Sequence, residues 1–469
     1  MAHGDRISAL DASFLHQEKA GARLHAASVT VFDGPPPTWD ELRAHVESRL
    51  HLVPRFRQRL AEVPMQQGRP VWVDDPHFNL RYHLRHAGLP APGSEEQLKN
   101  LAGRLFAQPL DRTKPLWELW LVDRLGAGVD GEGVEHAWSG RFALIAKSHH
   151  ALVDGINAVD ITTVLFDTDP AALPPPAPER PWVAKPLPTP AQLLSDALIE
   201  RATQPQELAR SARAALRVPR KLLQTARERL DETGMTSTGS SPAPATPLNV
   251  SVGPHRRYTW VDAELSELQG IKDALGGTVN DAVLAVVAGA LGRYLRHRGS
   301  DTRGLVLKAL VPVSVHSDDG DGGKIGSEIA PLSAPLPVGI DDPAAQFRAI
   351  RDAVAELEPS LAAIGARELT ELAGFASPTL MSQAARLQQS QRSFNLVVTN
   401  VPGPQVPLYL LGRRLRALYP VVPITGRQAL GIAVMSYDGR LGFGLLADYD
   451  ALPDVDVLAR ELRAAIDAL

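Results

Sequence analysis

The chain has 469 residues, of which 44% are hydrophobic and 22% charged, and its formal net charge is −4. This length predicts two domains or more, and the composition is that of a globular protein. The sequence contains no cysteine, which excludes a catalytic thiol, a disulfide framework and cysteine-ligated metal or iron–sulfur sites. The small negative charge provides no basic field to attract a nucleic acid.

The N-terminal sequence MAHGDR leads into no apolar segment of the kind that directs secretion. The longest strongly apolar stretch, residues 282–291, is too short to span a bilayer. We therefore expect a cytoplasmic protein that contacts a membrane or lipid droplet only at its surface.

The first part of the chain reads as mixed strand and helix. Residues 24–32 alternate as a strand does, and residues 40–60 have the periodicity of a helix. A second strand is predicted at 115–122. A glycine-rich loop at 126–140 then connects it to the apolar strand 142–146.

The middle of the chain is rich in residues that break regular structure. Residues 169–190 are dense in proline, a helical segment follows at 191–231, and a second breaker-rich stretch covers 236–254. We therefore predict three regions: an N-terminal lobe at 1–168, a linker at 169–254 and a C-terminal lobe at 255–469.

The C-terminal part carries clear signals for individual elements. Thr278, with Asp281 three residues later, is a variant of the capping box and predicts the start of a helix that ends near His297. Asp438-Gly439 predicts the turn of a β-hairpin. Other predicted elements are strands at 306–315 and 395–400, an acidic glycine-rich loop at 318–323, hairpin strands at 431–436 and 441–447, and a helix at 455–469.

The most informative motif is HHALVDG at 149–155, where a strand ends and a helix begins. Successive strand side chains point to opposite faces, so His149 and His150 cannot both enter one cavity. One can act in a cleft while the other anchors the strand. Asp154 suits the unpaired amide groups at a helix start, and Gly155 permits close approach of backbone or substrate.

Taken alone, this motif allows three interpretations. The histidines could be a packed structural pair, because short motifs are weak signals. They could also form a metal site of two histidines and one carboxylate. The third interpretation is a general base for acyl transfer, since a neutral imidazole is the usual acceptor of a proton near pH 7.

Several motifs occur together in an order that is more specific than any one of them. They are ISALDASF at 7–14, PLWE at 115–118, HHALVDG at 149–155, Asn280-Asp281, VPVS at 311–314 and TNVPGP at 399–404. In this order they resemble the bacterial wax ester synthase/diacylglycerol acyltransferase family over almost the entire chain. HHxxxDG alone is shared with other acyltransferases that depend on coenzyme A and with peptide condensation domains.

The resemblance implies an α/β fold of two chloramphenicol acetyltransferase-like lobes with a substrate tunnel between them. Acyl-coenzyme A would enter from one side, and diacylglycerol or a fatty alcohol from the other. The reaction would need no cofactor, because acyl-coenzyme A is itself a substrate.

The resemblance also assigns roles to residues. His150 would be the general base, Asp154 would support the local architecture, and Gly155 would keep the tunnel open. Asn280 and Asp281 match the family's pair near the reaction centre, where Asn280 could donate to an oxyanion. The remaining motif residues would line the tunnel or support its wall: Pro115, Leu116, Trp117, Asn400, Pro402 and Gly403.

Two positions depart from the family pattern: His316 stands where arginine is usual, and Ser327 where asparagine is usual. We expect these two departures to affect substrate preference and catalytic rate more than the class of reaction. Arg213 and Arg217 lie in a basic amphipathic segment, which could be a solvated helix face or a membrane-surface contact.

Two alternatives to the acyltransferase that uses acyl-coenzyme A remain open. One is a condensation-type acyltransferase that takes its acyl group from a carrier-protein thioester. The other is a catalytically weak protein that binds lipid droplets.

Overall fold

The computed structural model describes residues 5–8, 11–12, 14–15, 18, 21–126, 140–153, 164–203, 242–315, 328–363 and 394–469. The predictions made at six positions lie outside these residues: Asp154, Gly155, Arg213, Arg217, His316 and Ser327. The predicted loop at 318–323 lies outside them as well.

The first half of the chain alternates short strands and helices. In chain order these are β1 (Asp5–Arg6), β2 (His25–Phe32), α1 (Trp39–Arg49), β3 (Gln58–Ala61), β4 (Val71–Asp74), α2 (Leu80–His83), β5 (Leu84–Gly88), α3 (Glu95–Ala107), β6 (Trp117–Leu125), β7 (Arg141–His149), α4 (His150–Val153) and α5 (Pro190–Thr203).

The second half contains longer elements. In chain order they are β8 (Arg256–Glu264), α6 (Leu265–Leu275), α7 (Val279–His297), β9 (Leu307–Val315), β10 (Glu328–Leu336), α8 (Pro343–Ala363), β11 (Leu396–Val401), β12 (Tyr409–Leu410), β13 (Arg413–Val421), β14 (Leu430–Tyr437), β15 (Arg440–Asp448) and α9 (Val455–Ala468).

One predicted element is wrong. Residues 40–60 do not form one helix, because α1 ends at Arg49 and short 3₁₀ turns follow up to Arg57. Pro54 has no N–H to donate, and its ring obstructs the preceding turn of a helix. From Gln58 onward the chain instead pairs with β4 as an antiparallel strand.

Two six-stranded sheets organise the fold. The first has the order β12-β13-β2-β7-β6-β5, and the second has the order β10-β9-β11-β14-β15-β8. A small third sheet has the order β1-β4-β3. The predicted C-terminal lobe at 255–469 thus supplies strands to both large sheets, since β13 pairs with β2 of the N-terminal lobe.

Helix α7 forms the centre of the C-terminal core. Thr278 caps it and completes a capping box with Asp281, as the sequence predicts. Most of its side chains are buried against α9, α8 and the second sheet. Among the described residues, no single helix is long and apolar enough to span a membrane, and α6 and α7 meet at a bend of 99°.

The two large sheets touch where β13 crosses β15. A Cβ atom added at Gly442 would lie 2.0 Å from the Leu418 carbonyl oxygen, and one at Gly444 would lie 1.8 Å from the Pro420 oxygen. The Tyr258 hydroxyl donates to the Tyr419 and Pro420 carbonyls, at 3.1 Å each. The backbone of one sheet therefore lies directly on glycines of the other.

The substitution Gly444→Ala tests this contact. Because the added methyl group meets backbone that cannot rotate away, we expect the unfolding free energy to fall by about 1–3 kcal/mol. Gly270→Ala is the matched control, since no atom lies within 4 Å of its added Cβ. In helix α6 that change should be neutral or stabilising by up to about 1 kcal/mol. Denaturant unfolding of the two variants measures the difference, and equal stabilities would contradict the contact.

Candidate active site

Two backbone hydrogen bonds clamp the end of β7. The His149 N–H donates to the Leu116 carbonyl, and the His150 N–H donates to the Leu24 carbonyl, each at 2.9 Å. Leu116 directly precedes β6 and Leu24 directly precedes β2, and these two strands flank β7 in the sheet. The sheet therefore fixes the backbone of both histidines.

The two imidazoles have different surroundings. His149 is buried, and its ring centroid lies 6.2 Å from that of His25, which is opposite it across the β2–β7 register. His150 is half-buried and begins α4, with its ring centroid 5.4 Å from that of Phe14. Of the pair, His150 is the imidazole with access to a space outside the core.

The contacts of His149 define its protonation. Its Nδ1 accepts a hydrogen bond of 3.0 Å from the Ala151 N–H, so the ring proton of the neutral form lies on Nε2. Burial lowers the pKa of His149 to about 4, and the nearby Glu18 carboxylate offsets only part of this shift. His149 is therefore neutral at pH 7 and holds the first turn of α4.

Glu18 joins the surroundings of His149 from the N-terminal segment. Its Oε2 lies 3.7 Å from His149 Nε2 and accepts a 2.9 Å hydrogen bond from Arg112 Nη2. Its Oε1 lies 3.5 Å from His25 Nε2 and accepts a 3.1 Å hydrogen bond from the Leu24 N–H. Burial also lowers the pKa of His25 well below its ordinary value.

Sequence reasoning missed Glu18, His25 and Arg112. His25, near the start of the predicted strand 24–32, was a weak signal of a buried polar cluster, because a polar side chain inside a sheet needs a hydrogen-bonding partner. Nothing local in the sequence indicates that these three residues and His149 form one cluster.

Lys147 fixes β7 from the same face as His149. Its Nζ donates to the carbonyls of Leu105 and Gln108, at 3.1 and 3.2 Å, and lies 3.3 Å from a Glu118 carboxylate oxygen. Burial lowers the pKa of Lys147. Lys147 thereby ties the strand to the C-terminal end of α3.

The PLW residues lie in the core beside this strand. Pro115, Leu116 and Trp117 are buried. The Trp117 indole donates to the Phe56 carbonyl at 2.8 Å, and its ring stacks on His83 with centroids 4.6 Å apart. These residues pack the interior, and the Leu116 carbonyl holds the His149 backbone.

Asn280 and Asp281 occupy the first turn of α7 and differ in their contacts. The buried Asp281 accepts two 2.8 Å hydrogen bonds at Oδ2, from the Thr278 N–H and hydroxyl. Its carboxylate is thus engaged in capping the helix. The side chain of Asn280, which is half-buried, stands outside this capping box.

The TNVPGP segment leaves the second sheet at β11. Asn400 pairs with Val434 of β14, and Pro402 is exposed. The Gly403 N–H donates to the Ser436 hydroxyl at 3.2 Å, and a Cβ at Gly403 would lie 2.1 Å from the Ser436 carbonyl oxygen. Only glycine allows the turn to lie this close to β14.

Within the described ranges, no group of three or more histidine, aspartate or glutamate side chains is arranged to hold a metal ion.

The low pKa of His149 makes stability depend on pH. In the folded chain the imidazole titrates near 4, whereas in the unfolded chain it titrates near 6.5. Between these values only the unfolded state binds the proton, so stability falls as the pH is lowered through 6.5. We expect His149→Gln to reduce this slope by about 1.4 kcal/mol per pH unit.

The measurement is the unfolding free energy of the chain and of His149→Gln at several pH values from about 4.5 to 6, inside the window set by these pKa values. His25 and His83 remain in the variant, so the difference isolates His149. Equal slopes for the two proteins would show that His149 is not held neutral.

Family models match most of the chain. The model described as the wax ester synthase/diacylglycerol acyltransferase catalytic domain matches residues 7–283, and the model of the WS/DGAT C-terminal domain matches residues 325–469. A protein of Mycobacterium tuberculosis whose name is that of a diacylglycerol O-acyltransferase is 33% identical. That alignment covers 96% of this chain and 87% of the relative.

Two solved structures align over almost the whole chain. The wax ester synthase/diacylglycerol acyltransferase of Marinobacter aquaeolei VT8 aligns with a TM-score of 0.67 and 26% identity, over 99% of this chain and 98% of that one. The starter condensation domain of rhizomide synthetase, at 16% identity and a TM-score of 0.54, shares the fold over 99% of this chain and 93% of its own. The chain is therefore an acyltransferase and belongs to the wax ester synthase/diacylglycerol acyltransferase family.

Proposed function

We propose that the chain transfers a long-chain acyl group from acyl-coenzyme A to the hydroxyl of diacylglycerol or a fatty alcohol, with His150 as general base. The product would be triacylglycerol or a wax ester. The observation that carries this proposal is the half-buried imidazole of His150. This residue directly follows β7, whose end is held by backbone hydrogen bonds to the carbonyls of Leu24 and Leu116. The names of the Mycobacterium and Marinobacter relatives support these acceptors.

The chemistry requires a base because an alcohol hydroxyl is a poor nucleophile. His150 accepts the hydroxyl proton as the oxygen attacks the thioester carbonyl and a C–O bond forms. The tetrahedral oxyanion then collapses and the C–S bond breaks. The coenzyme A thiolate takes the proton from the His150 imidazolium, so the base is regenerated and no acyl-enzyme forms. A positioned base is worth about 10²–10⁴-fold in rate.

The two histidines have different proposed roles, since His150 is the base and His149 holds the turn that carries it. His149 Nδ1 accepts a hydrogen bond from the Ala151 N–H, and burial lowers the pKa of His149 to about 4, which makes it an anchor. Asn280 is our candidate donor to the oxyanion, because its side-chain amide carries N–H groups. The neighbouring Asp281 has only a carboxylate, which accepts the hydrogen bonds of the helix cap. One such donor is worth about 3 kcal/mol of transition-state stabilisation in comparable sites.

The proposed substrates also suggest where the protein works. Both acceptors are lipids that reside in membranes or droplets, so we propose a cytoplasmic enzyme that contacts such surfaces peripherally. The reaction as proposed uses acyl-coenzyme A as substrate and needs no cofactor.

The test is release of coenzyme A from palmitoyl-coenzyme A, followed with a thiol-reactive dye. Diacylglycerol and hexadecanol serve in turn as acceptor. Because the chain has no cysteine, the protein adds no thiol background. We expect release that depends on the acceptor and that falls by about 10²–10⁴-fold in His150→Ala.

His77→Ala is the matched control, because His77 is an exposed histidine in the same lobe. It should retain the rate of the unmodified chain. Undiminished turnover in His150→Ala would remove His150 as the base. If neither acceptor elicits release, the acyl-coenzyme A reaction itself is wrong, and a carrier-protein thioester becomes the donor to try.

A further inference from the structure

We propose that Glu18 is a positioning residue for His150, acting through His149 and through Leu24. This inference rests on the proposed function, because it concerns the geometry of the base assigned there. Glu18 is largely buried, with 12% of its side chain exposed, and its oxygens lie beside Arg112, the Leu24 amide and the imidazoles of His25 and His149.

The first route runs through the protonation of His149. The Ala151 N–H donates to Nδ1, an arrangement that requires the ring proton to be on Nε2. Nε2 lies 3.7 Å from Glu18 Oε2, which is longer than a hydrogen bond but close enough for a carboxylate to favour an N–H there. Glu18 thus favours the tautomer that leaves Nδ1 free to accept.

That tautomer affects His150 because Ala151 is the next residue in the same short helix. The first amides of a helix have no partner within it and must find one elsewhere. His149 Nδ1 is the partner of the Ala151 amide. If the proton moved to Nδ1, two N–H groups would face each other and the turn that carries His150 would shift.

The second route runs through the backbone before β2. Glu18 Oε1 accepts a 3.1 Å hydrogen bond from the Leu24 N–H. The carbonyl of the same residue, Leu24, accepts the 2.9 Å hydrogen bond from the His150 N–H. Glu18 therefore lies beside His149, which holds the Ala151 amide, and beside Leu24, whose carbonyl holds the His150 amide.

The charge of Glu18 is balanced within the cluster. Arg112 donates to Glu18 Oε2 at 2.9 Å and to the Leu15 carbonyl at 2.8 Å. The imidazoles of His25 and His149 are neutral because burial lowers the pKa of each. Both oxygens of Glu18 therefore accept hydrogen bonds, from Arg112 and from the Leu24 amide, and the effect of Glu18 reaches His150 without contact with substrate.

The test compares Glu18→Ala with the isosteric Glu18→Gln. Alanine removes both acceptors, so we expect kcat to fall roughly 10- to 100-fold. KM for palmitoyl-coenzyme A should stay within about threefold, because the misplaced group is the base and not a substrate contact. Glutamine keeps an oxygen that can face one donor, so its kcat should lie between those of Glu18→Ala and the unmodified chain.

A second readout follows the tautomer itself. Nitrogen-15 spectra of the histidine rings, with the His149 signals identified by their absence in His149→Gln, should show Nε2–H in the unmodified chain. They should show loss of this preference in Glu18→Ala. Glu47→Ala is the control, because Glu47 is an exposed glutamate on α1, and it should change neither kcat nor the spectrum.

Unchanged kcat in Glu18→Ala, or a fall in kcat with Tm while the His149 tautomer is unaltered, would overturn the proposal. If the unmodified chain transfers no acyl group to either acceptor, the proposed function fails. In that case the nitrogen-15 spectra alone decide whether Glu18 sets the tautomer of His149.

Discussion

The backbone clamp on β7 is the constraint on which the candidate site depends. Carbonyls that precede the two flanking strands, those of Leu24 and Leu116, hold the amides of His150 and His149. The strand cannot slide without breaking both bonds, and a shift by one residue would exchange the faces of the two imidazoles. The buried Lys147, anchored to the end of α3, resists the same movement.

The two large sheets are joined by backbone contact. Strand β13 lies in the chain between β11 and β14, which are strands of the second sheet, but it pairs with β2 in the first sheet. It also lies on Gly442 and Gly444 of β15. With no side chain between them, the two sheets have little room to slide past each other at this point. Strand β2, which lies beside the histidine-bearing β7, is thus paired with β13, a segment that comes almost 400 residues later in the chain.

Much of the fold could be predicted from local patterns. The Asp438-Gly439 turn is a hairpin with positive φ at both residues, and the Thr278–Asp281 capping box begins α7, because both depend on neighbours in sequence. The single helix predicted at 40–60 failed because Pro54 obstructs its continuation and because residues from Gln58 onward pair with β4. The roles of the motif residues stay predictions.

The cluster behind the histidines could not be predicted in this way. The contact between Glu18 and His149 depends on the register of β2 against β7 and on the path of the N-terminal segment, both of which are long-range. From the motif, His150 could be proposed as the base only through family resemblance. The structure adds a physical reason, since one imidazole is buried, neutral and hydrogen-bonded to the turn that carries the other.

Chemical rescue is the most direct test of the proposal that His150 is the base and His149 is an anchor. In His150→Gly, a cavity replaces the proposed base, and imidazole added to the buffer should restore acceptor-dependent release of coenzyme A. In His149→Gly, where the missing ring is an anchor within the fold, added imidazole should restore little. Full activity of His150→Gly without imidazole, or equal rescue of the two variants, would contradict the assignment of His150 as the base.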